Sequence, residues 1–432
     1  MKILFKDCSI IAGEEFREIK NGFLGVDDSR ICWLSETAPQ DTKTYDCVKS
    51  MTGKVLFPGL YNTHSHSAMT LLRGAGSDLP LKEWLFDTIF PLEDRLNPEF
   101  AKTGTQLAIL EMLASGTVSF SDMYYMCEAS IEAAAESGIK MNTARCIQAL
   151  DPDEKYEDSY RARESIGLFR NYHGSCGGRI LVDFAIHGEY TTSENVARKY
   201  SEKCAEYGGR MHIHLSETRS EHEDCIRRHG MTPAEWFRSI GTFASPTAAA
   251  HCVWCTDNDF RILKEYGVFP VHNPTSNMKL GSGFAPVPKM IRSGLTVGLG
   301  TDSAASNNNL NLMEEIHSAS VLHNGISLDA TIMDPRTVLK MATVNGAVIQ
   351  GRPDCGFLAV GRHADIIAFD LNRPHLMPAP GILPLLCYAA QGSDVCMTMV
   401  DGRILYENGE YLTLDKERVF HDVKKAAEKL YG

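Results

Sequence analysis

Short apolar runs alternate with longer stretches of helical periodicity through the middle of the chain. This alternation is typical of repeated strand–helix units, which assemble into a parallel sheet. The pattern predicts eight such strands: Val55–Leu60, Thr117–Ser121, Lys140–Cys146, Ile180–Ile186, Arg210–Leu215, Thr247–Cys252, Val268–His272 and Leu295–Gly300. Eight units over roughly 250 to 300 residues favour an α/β fold of the (β/α)8 TIM-barrel type. A doubly wound open sheet is the alternative.

Helical segments between these strands carry start and stop signals. Asn97 is suited to cap a helix whose first residue is Pro98, and this helix is expected to stop at Ser115-Gly116. Further helices are predicted over about 128–137, 157–171, 193–207, 233–240, 257–266 and 311–323. The longest strand-to-helix connection, roughly 70–97, follows the first strand, at the barrel face where active sites are built.

The two ends of the chain have a different pattern. Residues 1–50 and about 358–410 contain short β-like runs separated by turns such as Asp401-Gly402. Because neither end has enough strands to cover itself, one small β-sandwich domain assembled from both termini is predicted. It would comprise residues 1–54 and 358–432, with a closing helix near 414–430, and would flank a barrel formed by residues 55–357.

Composition narrows the functional classes. The 432 residues are 44% hydrophobic and 23% charged, which is enough for a sizeable core. Because the net charge is −12 and no basic run exceeds a pair, a nucleic-acid or anionic-membrane surface is not expected. Neither a signal-peptide core nor an apolar stretch of about 18 residues is present. The 13 scattered cysteines indicate reduced thiols and hence a cytoplasmic protein.

Histidines and one aspartate recur at the predicted strand ends. They are His64 and His66 after strand one, His212 and His214 on strand five, His251 on strand six, His272 on strand seven, and Asp302 after strand eight. Residues at i and i+2 share a face of a strand, and all strand ends meet at one mouth of a barrel. A single strand-end histidine is usually only hydrogen-bonded, but this joint occurrence favours a zinc or ferrous site.

Two further features bear on the chemistry. Glu217 follows His214 by three residues, close enough to exchange protons with a metal-bound water, although a loop acid or helix cap is the alternative.

His187-Gly188-Glu189 together with Cys252-Val253-Trp254-Cys255 imitates a zinc-deaminase signature, but the proline expected before the first cysteine is absent. The two parts also lie on different strands, so we interpret these cysteines as core thiols.

Four segments together resemble the amidohydrolase superfamily, in particular its branch of 5-methylthioadenosine/S-adenosylhomocysteine deaminases. The segments are Pro58-Gly59-Leu60-Tyr61-Asn62-Thr63-His64-Ser65-His66, His212-Ile213-His214-Leu215-Ser216-Glu217-Thr218, His272-Asn273-Pro274-Thr275-Ser276-Asn277-Met278-Lys279-Leu280 and Gly300-Thr301-Asp302-Ser303. As a set they are highly specific for the superfamily and less specific for the substrate. The resemblance covers about residues 54–370.

The resemblance implies a metal-dependent aminohydrolase. One divalent ion, Zn²⁺ with Fe²⁺ as the alternative, would be bound by His64, His66, His214 and Asp302. The site would be mononuclear because no lysine ends strand four. Glu217 would transfer protons, while His251 and Asp302 would orient the attacking hydroxide at C6 of an adenine ring. The products would be ammonia and an inosine-type nucleoside.

The resemblance also implies how a small-molecule nucleoside is bound. The substrate residues would be Trp84, Glu93, Arg145, His187 and Ser306. Arg145 would either select a homocysteine carboxylate or serve as a structural ion-pair partner. The alternative substrates are guanine, cytosine or a chlorinated triazine, and a silent barrel scaffold is the remote alternative. A homo-oligomer is compatible with the sequence.

Overall fold

The computed structural model of the protein describes residues 1–77, 79 and 83–432. Within this part of the chain, two sheets contain all the strands. In chain order the strands are β1 Lys2–Ala12, β2 Arg17–Asp27, β3 Arg30–Ser35, β4 Cys47–Ser50, β5 Lys54–Pro58, β6 Leu60–Ser65, β7 Thr117–Tyr124, β8 Lys140–Ile147, β9 Ile180–Ile186, β10 Met211–Leu215, β11 Thr247–His251, β12 Phe269–His272, β13 Gly298–Leu299, β14 Ile366–Asp370, β15 Val395–Val400, β16 Arg403–Glu407 and β17 Glu410–Tyr411.

Helices connect most of these strands. The α-helices are α1 Phe90–Glu93, α2 Pro98–Ala114, α3 Cys127–Ser137, α4 Tyr160–Tyr172, α5 Glu194–Glu206, α6 Arg219–His229, α7 Pro233–Ser239, α8 Asp257–Glu265, α9 Pro274–Lys279, α10 Val287–Arg292, α11 Leu312–Ser327, α12 Pro335–Met341, α13 Val344–Ile349, α14 Ile382–Tyr388 and α15 Lys416–Tyr431. A π-helix, Trp84–Ile89, precedes α1. In the described ranges, none of the helices has the length and apolar character needed to cross a bilayer.

The eight strands β6 to β13 form a parallel barrel in chain order. The first and last strands meet through a bridge between Ser65 and Asp302, and the amide of Asp302 donates to the carbonyl of His64 at 3.0 Å. The predicted barrel is confirmed. Its strands are almost entirely buried, as expected for a parallel sheet covered by helices.

The first barrel strand was predicted at the wrong place. The run Val55–Leu60 does not form it, because Lys54–Pro58 pairs with β1 and β14 of the other sheet. Leu60–Ser65 is the first barrel strand instead. A continuous apolar run identifies a buried strand without indicating which sheet buries it. The division of the chain at residue 54 stays a prediction.

Strands from both termini form the second sheet. Its order is β17-β16-β15-β14-β5-β1-β2-β3, and β4 pairs with β1. Ile31 of β3 and Met399 of β15 belong to one buried apolar cluster, although their strands lie far apart in this order. The sheet therefore folds across its own core, and the prediction of a small β domain built from both ends is confirmed.

Local signals explain most helix boundaries. The side chain of Asn97 accepts from the amide of Phe100 and caps α2, as the sequence predicted. Helix α6 was not predicted, because its eleven residues bury only His222 and Cys225 and show little apolar periodicity. The capping box of Thr218 and Glu221 is the signal that could have located its start.

A buried ion cluster connects the barrel to the terminal sheet. The Nζ atom of Lys140, on β8, lies 2.5 Å from Asp365 Oδ2 and 2.8 Å from Asp401 Oδ1. The hydroxyl of Tyr61 donates to the same Asp365 oxygen at 2.5 Å. Two carboxylates around one ammonium compensate its burial, and they raise the pKa of Lys140 although desolvation alone would lower it.

We expect Lys140→Met to lower the free energy of unfolding by about 3–5 kcal/mol, because it leaves the buried carboxylate of Asp365 and the half-buried carboxylate of Asp401 without this cation. Urea denaturation followed by circular dichroism measures this change. Lys199→Met is the matched control, since Lys199 pairs with Glu157 on the surface and should contribute at most about 1 kcal/mol. Equal losses in the two variants would contradict the importance of the buried cluster.

Candidate active site

Four predicted ligands come together at the carboxyl end of the barrel. His64 lies in β6, His66 directly follows that strand, His214 lies in β10 and Asp302 follows β13. The ligating atoms of the three histidines lie within 4.8 Å of one another. The Oδ1 atom of Asp302 is 3.2 Å from Nε2 of His66 and 3.6 Å from Nε2 of His64. A second group of converging ligating atoms comprises His64, His251 and Asp302, so the two groups share His64.

In each of the three histidines, Nδ1 makes a hydrogen bond to a neighbouring residue, so that Nε2 faces the centre of the cluster. The three contacts are His66 Nδ1 to the carbonyl of Met123 at 2.5 Å, His214 Nδ1 to the carbonyl of His187 at 2.7 Å, and His64 Nδ1 to His212 Nε2 at 2.9 Å. Such outer contacts fix the tautomer of metal-binding histidines. The Nε2 atom of His64 is buried without a hydrogen-bond partner, which fits a metal ligand.

Burial controls the protonation of the cluster. It lowers the pKa of His64 to about 3, and it lowers that of His214 well below the ordinary value, with neighbouring histidines adding to the effect. Burial alone would raise the pKa of Asp302, but His64 and His66 outweigh it and hold that pKa well below its usual range. The carboxylate in turn raises the pKa of His66 against desolvation. Imidazoles and one carboxylate form a typical donor set for zinc or ferrous iron.

Glu217 lies beside the cluster in the loop between β10 and α6. Its Oε1 atom accepts from the hydroxyl of Ser282 at 3.2 Å, and its Oε2 atom is 3.7 Å from Nε2 of His251. Burial raises the pKa of Glu217, and the opposing effect of His251 is smaller. The other ring nitrogen of His251 lies 2.8 Å from Oδ1 of Asn277. A buried carboxyl group of raised pKa is suited to exchange protons near neutral pH.

Two cavities adjoin at this end of the barrel. The smaller has a volume of about 70 Å³ and is bounded by His66, His214, His251, Glu217 and Asp302. The larger has a volume of about 700 Å³ and opens beside it. Phe90, Glu93 and Tyr125 line both cavities. A ligand larger than the first space would therefore extend past these three residues into the second.

The structure separates the predicted substrate residues into three groups. Trp84, Glu93 and His187 line the smaller cavity. Arg145 lines the larger one, where its Nε atom lies 2.9 Å from Oε2 of Glu164. Ser306 differs from the expectation: it is buried and its hydroxyl lies 2.9 Å from that of Ser303. Ser303, three residues earlier, lines the cavity instead, and its hydroxyl accepts from the amide of Ser306 at 2.9 Å.

The cysteine pair does not join the histidine cluster. Cys252 and Cys255 are buried, and the carboxylate of Glu189 pairs with Arg228 at 2.7 Å. Within the described residues, neither metal-type cluster contains a cysteine. The interpretation of these cysteines as core thiols agrees with the structure.

Several supporting residues escaped the sequence prediction. The hydroxyl of Ser276 donates to Oδ2 of Asp302 at 2.5 Å, and Asn277 and Ser282 contact His251 and Glu217. Ser276 and Asn277 lie in the segment that begins at His272, which carried part of the resemblance. No local spacing rule assigns these side chains a partner, because their contacts cross between different strand ends.

The family comparison agrees with this geometry. The model of the Amidohydrolase family matches residues 55–405. A 5-methylthioadenosine/S-adenosylhomocysteine deaminase of Acetivibrio thermocellus is 41% identical over the full length of both chains. The chain belongs to the amidohydrolase family. A 5'-deoxyadenosine deaminase of Methanosarcina acetivorans is also 41% identical, over 99% of this chain and 98% of the relative.

A solved amidohydrolase-type neighbour shows the same architecture throughout. The crystal structure of an adenosine deaminase from Xanthomonas campestris with bound zinc superposes with a TM-score of 0.93 at 28% identity. The match covers 99% of this chain and 98% of the neighbour. The fold of this amidohydrolase is therefore shared along its full length, including the terminal sheet.

We expect His214→Ala to lose most of the bound divalent metal that the wild-type protein carries, because it removes one of four converging donors. Elemental analysis of dialysed protein measures the metal per chain. His173→Ala is the control, since His173 bonds only to the backbone of Val182, away from the cluster. Unchanged metal content in His214→Ala would remove His214 from the ligand set.

Proposed function

We propose that this amidohydrolase hydrolytically deaminates the C6 amino group of adenosine-type nucleosides such as adenosine, 5'-methylthioadenosine or S-adenosylhomocysteine. The observation that carries the proposal is the position of Glu217. This buried carboxyl group lies beside the histidine cluster and lines the same cavity as Glu93 and Trp84. The deaminase names of relatives about 40% identical over the whole chain support it.

In this proposal, His64, His66, His214 and Asp302 would hold one ion. We assign it as Zn²⁺ because the donor set suits zinc and the adenosine deaminase of Xanthomonas campestris has bound zinc. When bound, such an ion lowers the pKa of its water to about 7 and so supplies hydroxide at neutral pH. The barrel contributes the fixed donors and the buried surroundings. His212 and the carbonyl of Met123 contribute the orientation of two rings.

Glu217 moves the protons. It accepts one from the attacking water and delivers it to ring N1, so that C6 becomes electrophilic. His251 and Asp302 orient the attacking oxygen towards C6. A second proton then passes from the hydroxyl group now on C6 to the amino group. The bond between C6 and this nitrogen breaks, C6 keeps a carbonyl oxygen, and ammonia leaves the inosine-type product. The hydroxyl of Ser282 holds one oxygen of Glu217 and leaves the other free for this exchange.

Nucleoside binding uses the cavity walls. Glu93 would accept the ribose hydroxyls, and the buried ring of Trp84 would provide apolar surface for the ligand. His187 would donate to purine N3. Burial lowers the pKa of His187 to about 4, so the ring is neutral and carries a single N–H. The hydroxyl of Thr191 lies 3.0 Å from Nδ1 of His187 and donates to the carbonyl oxygen of Gly188 at 3.2 Å, so it helps to fix the orientation of the ring.

The larger cavity is suited to the 5' substituent. Arg145 and Arg161 both line it, and the Nε atom of Arg161 is buried without a hydrogen-bond partner. Apolar walls are provided by Phe86, Phe90 and Leu168. Two guanidinium groups in a cavity with apolar walls fit a thioether chain that ends in a carboxylate.

We expect wild-type protein to release ammonia from the three nucleosides and not from adenine, guanine or cytosine. Glu217→Gln should retain metal and lose about 10²–10⁴-fold in kcat, because an amide cannot transfer the protons. An ammonia assay and elemental analysis on the same samples measure both properties.

The control is Glu223→Gln, since Glu223 pairs with Arg219 on the surface of α6 and should keep wild-type turnover. Preferred release from guanine or cytosine would contradict the nucleoside assignment. Near-normal turnover of Glu217→Gln would remove Glu217 from the mechanism.

We expect Arg145→Ala to reduce kcat/KM much more for S-adenosylhomocysteine than for 5'-methylthioadenosine, by about tenfold or more, because only the former presents a carboxylate to the guanidinium group. Steady-state kinetics with both substrates measures this ratio. Arg163→Ala is the control, because Arg163 donates to the carbonyl of Glu157 on the protein surface. Equal losses on both substrates would make Arg145 a structural partner of Glu164.

A further inference from the structure

The end of β7 hydrogen-bonds to two parts of the active site, the segment that carries His66 and the cavity wall at Glu93. Four consecutive residues each make one hydrogen bond to a neighbouring element of the site. These are Ser121 O with the hydroxyl of Ser65 at 2.8 Å, Asp122 Oδ1 with the amide of Ser67 at 2.5 Å, Met123 O with Nδ1 of His66 at 2.5 Å, and the hydroxyl of Tyr124 with Oε1 of Glu93 at 2.6 Å. The first three hold the segment that carries His66, and the fourth reaches the wall of the nucleoside cavity.

We propose that Tyr124 is a positioning residue that fixes the carboxylate of Glu93 for the ribose and thereby sets the preference of the enzyme for nucleosides with intact 2'- and 3'-hydroxyls. This role rests on the proposed function, in which Glu93 accepts those hydroxyls. Tyr124 acts through Glu93 and not on the reacting atoms.

The hydroxyl of Tyr124 has a fixed position. Tyr124 is the last residue of β7, its side chain is buried, and its ring packs against Tyr125 with centroids 5.0 Å apart. The ring of His66 lies 6.2 Å away on another side. Because the strand and its neighbours hold the ring, the donor is already in place before a ligand arrives.

The side chain of Glu93 is held less firmly than that of Tyr124. It is half-buried and ends the four-residue helix α1, and its side chain has several rotatable bonds. Across the described residues, the hydroxyl of Tyr124 is the side-chain donor that reaches this carboxylate. A carboxylate has about four acceptor positions, so one hydrogen bond from Tyr124 leaves enough for both ribose hydroxyls.

The charge of Glu93 also depends on this contact. Burial raises the pKa of Glu93 to about 7, and the hydrogen bond from Tyr124 opposes that rise. A protonated carboxyl group would lose acceptor capacity at the position where two hydroxyls need it. The hydrogen bond thus favours both the orientation and the acceptor form that ribose recognition requires.

The test compares kcat/KM for adenosine and 2',3'-dideoxyadenosine in wild type, Tyr124→Phe, Glu93→Gln and the double variant. In the ratio of the two kcat/KM values, effects of a substitution on metal content, folding or the chemical step cancel, because they change both values by the same factor. We expect the wild type to prefer adenosine, Tyr124→Phe to reduce this preference roughly tenfold, and the double variant to lose little beyond Glu93→Gln alone.

Tyr200→Phe is the matched control. Its hydroxyl lies 2.6 Å from that of Ser165, in a buried position outside both cavities. The same substitution there removes a buried tyrosine hydroxyl and should leave the adenosine preference unchanged. Metal content measured on every variant should stay at the wild-type level.

Three outcomes would overturn the role of Tyr124. In the first, Tyr124→Phe keeps the wild-type preference while Glu93→Gln loses it. In the second, Tyr124→Phe lowers kcat/KM equally for both nucleosides, as a purely structural residue would. In the third, the effects of the two single substitutions simply add. Failure of the wild type to deaminate either nucleoside would instead overturn the proposed function, and the role of Tyr124 with it.

Discussion

The closure of the barrel between its first and last strands is the constraint on which the site depends. The amide of Asp302 donates to the carbonyl of His64 at 3.0 Å, so the backbones of two ligands are joined at the seam. Gly300 allows this approach, since a Cβ atom there would lie 2.8 Å from Cβ of His64 and 2.5 Å from Oδ1 of Asn273. The contact that closes the sheet also brings an imidazole and a carboxylate to one point.

Strained backbone accompanies this convergence. Ser216, His251 and Asp302 all have positive φ angles, of 48°, 74° and 61°. Non-glycine residues adopt this region at an energetic cost, which the surrounding structure must offset. Each of the three lies at the end of a barrel strand, and His251 and Asp302 line the cavity. The hydrogen bonds of Ser276 and Asn277 to two of these side chains hold them in place.

Burial gives the site its electrostatic character. Burial keeps the imidazoles of His64 and His214 neutral, with a lone pair available for a metal, whereas His64 and His66 hold the pKa of Asp302 well below its usual range despite its burial. For Glu217, burial outweighs the opposing effect of His251, so its pKa is raised. Both carboxyl groups are buried, but their immediate neighbours differ, and this difference shifts their pKa values in opposite directions.

The sequence by itself determined the elements and the chemical types: eight strands in a barrel, helices such as α2 with its Asn97 cap, and histidines at strand ends. These depend on periodicity and on neighbours along the chain. Only the tertiary structure decided that Lys54–Pro58 joins the terminal sheet, that Ser303 and not Ser306 lines the cavity, and that Tyr124 contacts Glu93. Such facts depend on side chains from separate strand ends meeting in space, and periodicity along one segment contains no information about partners on another.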